Sequence, residues 1–200
     1  YRIKTLRAMT ARGWGVVAVS YRGYGVSGGR PSEKGLRYDA RAAADFLQAQ
    51  GVAAHETVLY GDSLGGAVAL NLAADLEEQG MAAACVAAVA TFASIEEKAV
   101  DLYPWLYRPY VHRFLRHHFD VTEAMIRLRY TPVLLVHGEA DATTPIHHSE
   151  ILARVAEGGS VPVRFERVQG GGHVDIAADF TLDQITKVLG AEGDKARSEE

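Results

Sequence analysis

Apolar residues recur along this chain in two rhythms. Five short runs rich in branched residues, Val16 to Tyr21, Thr57 to Tyr60, Cys85 to Thr91, Pro132 to Val136 and Val163 to Val168, read as buried strands. A strand covered on both faces shows a continuous apolar run instead of alternation. Most of the intervals carry helical spacing. Leu36, Ala40, Ala43, Ala44 and Leu47 mark one face that ends before Gly51, and Leu64, Val68, Leu72 and Leu76 mark another that ends before Gly80. Ile146 to Val155 predicts a further helix, Ile176, Phe180, Ile185 and Leu189 a terminal one, and Ile3, Leu6 and Met9 share a face of a helix already under way at Tyr1. Strands alternating with helices predict the α/β class: a three-layer α/β/α sandwich around a mostly parallel sheet. Residues 1–192 are expected to form one domain and residues 193–200 a disordered tail.

Residues 95–130 break the rhythm. Between positions 103 and 119 they hold Tyr103, Trp105, Tyr107, Tyr110, Phe114 and Phe119 among basic residues and histidines, six of the 17 aromatic residues of the chain. One reading is a long connection whose aromatic residues pack on the body. The other is a short helical cap insertion whose apolar inner face, with Tyr103, Trp105 and Tyr107, receives an acyl or alkyl group of a substrate.

Composition narrows the classes. A chain of 200 residues that is 48% hydrophobic can bury a core of its own. The net charge of −4, without a basic stripe, argues against nucleic acid or an anionic membrane surface as partner. No apolar run is long enough to span a bilayer, although a segment upstream of Tyr1 could still carry an anchor. We therefore expect a soluble domain of open oligomeric state and compartment, the cytoplasm being favoured. Cys85, the only cysteine, lies in an apolar run and reads as a buried structural thiol.

The chemistry concentrates at Thr57-Val58-Leu59-Tyr60-Gly61-Asp62-Ser63-Leu64-Gly65-Gly66-Ala67-Val68. An apolar strand, a tight Gly-x-Ser-x-Gly turn and an immediate helix display a serine hydroxyl at a helix N-terminus, where backbone N–H groups can stabilise an oxyanion. A second match, Gly25-Val26-Ser27-Gly28-Gly29, runs into Arg30-Pro31, which opposes helix entry and favours Ser63 over Ser27. A serine nucleophile needs a base and a group to orient that base. His173 follows the last expected strand in a Gly170-Gly171-Gly172 loop and is the candidate base. Asp141, in the loop after the fourth strand, is the candidate acid, with Glu139, Asp175 and Asp62 as rivals.

With these pieces together, the chain resembles the α/β-hydrolase superfamily, and within it the serine-aminopeptidase-like and lysophospholipase-like members. The resemblance rests on Tyr21-Arg22-Gly23-Tyr24-Gly25-Val26-Ser27, the Gly61-to-Gly66 elbow, Val136-His137-Gly138-Glu139-Ala140-Asp141 with Pro145, and Gly171-Gly172-His173. It implies a hydrolase that cleaves a carboxylic ester, thioester or amide through an acyl-enzyme on Ser63, with His173 as base, Asp141 as its partner and the Leu64 N–H as one oxyanion donor. No cofactor and no metal are implied, and the partner is a small-molecule or acyl-group substrate. Members of the superfamily take a second oxyanion N–H from a loop on a strand that precedes this chain's first helix. That strand also lies between those corresponding to Val16–Tyr21 and Thr57–Tyr60, so the chain is expected to be an N-terminally incomplete copy with a gap in mid-sheet.

Three other readings compete. Gly23-Tyr24-Gly25-Val26-Ser27-Gly28 satisfies a dinucleotide-binding pattern, but Gly29-Arg30-Pro31 interrupts the helix that should follow at once. His147-His148 with Glu150, and His117-His118, offer metal ligands, yet no His-Glu-x-x-His helix or paired Cys-x-x-Cys accompanies them. A catalytically silent hydrolase-fold binding protein is the third.

Overall fold

The computed structural model describes residues 2–103, 105, 113 and 117–198, with side chains described as far as residue 191. Its elements run α1 (Arg2–Ala11), α2 (Glu33–Ala49), a 3-10 turn (Ala54–Glu56), β1 (Val58–Asp62), α3 (Leu64–Glu77), β2 (Cys85–Val89), α4 (Ile95–Leu102), α5 (Val121–Arg127), β3 (Val133–Gly138), α6 (His147–Glu157), β4 (Val163–Val168) and α7 (Ala178–Ser198). Helix α2 starts where Ser32, in extended conformation, accepts a hydrogen bond from the Gly35 N–H. Helix α7 continues through residues 193–198, the stretch expected to be a tail.

The four strands form one parallel sheet in the order β1-β2-β3-β4. Strand periodicity divides its side chains between two cores. Val86 and Ala88 of β2, with Val133 and Leu135 of β3, face the core packed with residues of α2, α3, α5 and α6. Cys85, Ala87 and Val89, with Leu134 and Val136, face Met9 of α1 and Leu182, Ile185 and Val188 of α7. Both faces of the sheet are covered, which explains why its inner strands β2 and β3 read as apolar runs. Among the described residues, no helix is long and apolar enough to cross a membrane.

One expected strand is absent. Val16 to Tyr21 form no strand, and Val16, Val17 and Val19 are 37%, 42% and 40% exposed. A cavity of about 680 Å³ is lined on one side by Trp14 to Tyr21, on another by Val58 to Asp62, and by residues of α2 and α3. A strand exists only through a partner at about 4.8 Å. Here the apolar run borders a cavity instead, so its residues stay irregular.

Candidate active site

Strand β1 runs without interruption into Ser63, and α3 begins at Leu64. Ser63 has φ 52° and ψ −115°, a conformation that costs a non-glycine residue energy and persists only where its surroundings enforce it. The enforcement comes from β2 and the residues after it. The Ser63 N–H donates to the Val89 carbonyl at 2.8 Å, and the Ser63 carbonyl accepts from the Thr91 hydroxyl at 2.9 Å. Gly61 makes the bend sterically feasible, because a Cβ there would lie 2.1 Å from the carbonyl of Gly65. Gly65 itself has open space around its would-be Cβ, so its part is to bring backbone close to Gly61. Leu64, the first residue of α3, holds its N–H in the unpaired first turn of that helix.

The loops after β3 and β4 bring Asp141 and His173 together. His173 Nδ1 lies 2.7 Å from Asp141 Oδ2, with the Asp141 side chain fully buried and that of His173 19% exposed. A carboxylate can only accept, so Nδ1 carries the proton and Nε2 keeps its lone pair for another donor. The other carboxylate oxygen, Oδ1, accepts the N–H groups of Thr143 and Thr144, each at 2.8 Å. The two loops interlock: Ala140 N–H donates to the Gly171 carbonyl at 2.9 Å, and a Cβ on Gly138 would lie 2.1 Å from that carbonyl oxygen. Ser63, Asp141 and His173 thus follow β1, β3 and β4 at the C-terminal edge of one parallel sheet, the edge where open α/β sheets place their ligand sites.

The rival residues are occupied differently. Asp62 Oδ1 accepts from the Tyr60 hydroxyl at 2.8 Å. Asp175 takes the Gly172 N–H and closes the glycine turn, and Glu139 is exposed. Ser27 sits in a turn, 3.1 Å from the Ser20 hydroxyl, and α2 starts only at Glu33, beyond the Pro31 break. Tyr103 and Trp105 are 50% and 79% exposed and meet edge to face with ring centroids 6.2 Å apart. Tyr107, like Tyr110 and Phe114, lies outside the described residues.

The histidine pair at the start of α6 has an acid partner that spacing did not reveal. Asp101 of α4, not Glu150, approaches both rings, with Oδ2 2.9 Å from Nε2 of His147 and 2.9 Å from Nε2 of His148. The three ligand atoms lie within 4.8 Å of one another, a spacing a metal ion could use. The tautomer of His148 opposes that use. The Ala93 N–H points at its Nδ1, 3.3 Å away, so the ring proton belongs on Nε2, facing Asp101 instead of leaving a lone pair for a metal. Burial first, then His147, pushes the His148 pKa down to about 4, which keeps the ring neutral. Two further residues to which the sequence reading gave no role of their own support the site: Thr91, a polar residue closing an apolar run, and His137, at the end of β3.

A sheet of this topology with a strained serine between strand and helix, and a His–Asp pair at the same edge, defines the α/β-hydrolase fold. Residues 3–119 match the family model described as serine aminopeptidase, S33, and the chain belongs to that family. It is 37% identical over 186 residues to an uncharacterized protein of Mycobacterium tuberculosis, covering 91% of this chain and 62% of that protein. It is 30% identical over 167 residues to the lysophosphatidylserine lipase ABHD12 of Rattus norvegicus, covering 78% of this chain and 41% of that enzyme. Among solved structures, an alpha-beta hydrolase from Vibrio vulnificus superposes with TM-score 0.70 at 25% identity, covering 86% of this chain and 61% of that one. A Pyrococcus furiosus esterase also gives TM-score 0.70, at 16% identity over 94% of this chain and 72% of that one, a likeness of fold alone. The chain therefore spans less than two thirds of the length of the curated relatives it matches.

Proposed function

We propose that the protein is a serine hydrolase in which Ser63 attacks a carbonyl carbon and becomes acylated. His173 Nε2 takes the hydroxyl proton and passes it to the leaving group. Water, deprotonated by the same nitrogen, then releases the acid. Asp141 holds the imidazole with its proton on Nδ1, and the Leu64 N–H donates to the oxyanion. The observation that carries this reading is the strained Ser63, φ 52°, on the same sheet edge as the 2.7 Å His173–Asp141 pair.

An ester or thioester ranks above an amide as substrate. Tyr103 and Trp105 expose apolar surface where α4 ends. The excursion that starts there is closed by the Ile95 N–H donating to the His118 carbonyl at 2.9 Å and the Val121 N–H to that of Ala93 at 2.9 Å. Such a closed excursion suits a small cap over residues 95–130 that seats an acyl chain against the rings of Tyr103 and Trp105. The lipase named among the relatives supports the same preference. A fluorophosphonate probe followed by mass spectrometry tests the reading: the expected adduct is on Ser63. A folded protein that takes no adduct would instead be a catalytically silent hydrolase fold that binds a ligand.

A further inference from the structure

A second imidazole stands behind the acid. His137, the penultimate residue of β3, is completely buried, and both of its ring nitrogens are engaged. Its Nε2 lies 2.7 Å from the Thr144 carbonyl, which can only accept, so Nε2 carries the ring proton. Its Nδ1 lies 2.6 Å from the Ser149 hydroxyl, which donates to it. Asp141 Oδ2, the oxygen that accepts the hydrogen bond from His173 Nδ1–H, is 3.4 Å from the same His137 Nε2. Three elements therefore meet on one ring: strand β3 carries it, α6 holds it through Ser149, and the loop bearing Asp141 fixes its tautomer and is fastened to it through Thr144.

We infer that His137 is a positioning residue that sets the placement of Asp141 against His173, acting as a neutral hydrogen-bond donor and never exchanging a proton with substrate. The Thr143 and Thr144 N–H groups bind Asp141 Oδ1 to its own loop, but they do not fasten that loop to the sheet. His137 does so, through the Thr144 carbonyl, while the Lys98 ammonium ties the same loop to α4 by its bond to the Thr144 hydroxyl. The titratable groups facing this cluster are Asp141 and His173 on the loops, His148 on α6, and Lys98 on α4. Burial lowers the pKa of His137, which agrees with the neutral donor form that the contacts require.

The inference rests on the reading of Asp141 as the partner of His173, and its test follows the Nδ1–H proton of His173 by NMR without any substrate, because a short hydrogen bond to a carboxylate holds that resonance downfield and slows its exchange. His137→Leu removes the donor. The tether is then lost, the His173–Asp141 hydrogen bond lengthens, and the resonance moves upfield or broadens away. His137→Gln, which restores an N–H at the same reach, brings it back toward the wild-type position. Ser149→Ala keeps the ring but removes the hydroxyl bonded to its Nδ1. A smaller shift in the same direction is expected there, and this variant decides the matter if the leucine variant does not fold. Where Ser63 is labelled, the labelling rate of His137→Leu drops about ten- to a hundredfold. A merely structural histidine would lower the melting temperature and leave the Nδ1–H resonance unchanged; that result in a folded variant overturns the inference. Absence of labelling in the wild type would overturn the hydrolase reading and leave this NMR test intact.

Discussion

In the proposed mechanism three side chains carry the chemistry, and they answer to substitution in two ways. Ser63→Ala and His173→Ala remove the attacking oxygen and its base, so each is expected to abolish covalent turnover, measured by release of a chromogenic acyl ester. Asp141→Asn keeps the side chain's shape but can present an amide N–H to His173 Nδ1. That favours the wrong tautomer and is expected to cost up to about 10⁴-fold in turnover while still permitting slow labelling of Ser63. Ser27→Ala loses only the contact with Ser20 and should label like the wild type. Labelling that disappears in Ser27→Ala and survives in Ser63→Ala would reverse the assignment of the elbow.

Where elements approach each other, backbone clearance and buried charge decide the outcome. Gly138→Ala places a Cβ 2.1 Å from the Gly171 carbonyl oxygen, so the loop carrying His173 must shift. We expect a stability loss of about 1–3 kcal/mol by urea denaturation. The labelling rate should fall by about 10²-fold, because displacements of about 1 Å carry that cost. His148 joins α6 to α4 through Asp101, and its pKa in the fold is about 4 against an ordinary 6.5. Between those values the unfolded chain binds the proton and the folded one does not, so stability should fall as pH drops from about 6.5 toward 4. Melting temperatures across this range check the sign, and His148→Gln should flatten the slope.

At the scale of the molecule, the two inner strands of the sheet and the cavity beside β1 set the distribution of stability. Strands β2 and β3 are buried along their whole length and paired on both sides. Strand β1 borders the 680 Å³ cavity, and β4 lies at the other end of the order with partly exposed residues. Hydrogen exchange is therefore expected to be slowest in β2 and β3, with β1 and β4 opening earlier. Protection of β1 equal to that of β2 would mean that its free edge is covered in solution.

The local sequence alone determined the elbow. Gly61, Ser63 and the run from Leu64 to Leu76 dictate strand, strained turn and helix through nearest-neighbour sterics and period, and the continuous apolar runs at 85–91 and 132–136 marked strands covered on both faces. The loops after the third and fourth strands of the sheet, the second of them rich in glycine, likewise pointed to where an acid and a base could stand. What lay beyond reach were relations between distant residues. Nothing in the spacing distinguishes Asp141 from Glu139 or Asp175 as the neighbour of His173; the choice is made by the interlock of Gly138 and Ala140 with Gly171 and by the amides of Thr143 and Thr144. Nor could spacing bring Asp101 to His147 and His148, or reveal that His137 reaches back to Thr144. Val16 to Tyr21 has the composition of a strand and is not one, because strand structure belongs to a pair of chains, and only the tertiary structure decides whether the partner is there.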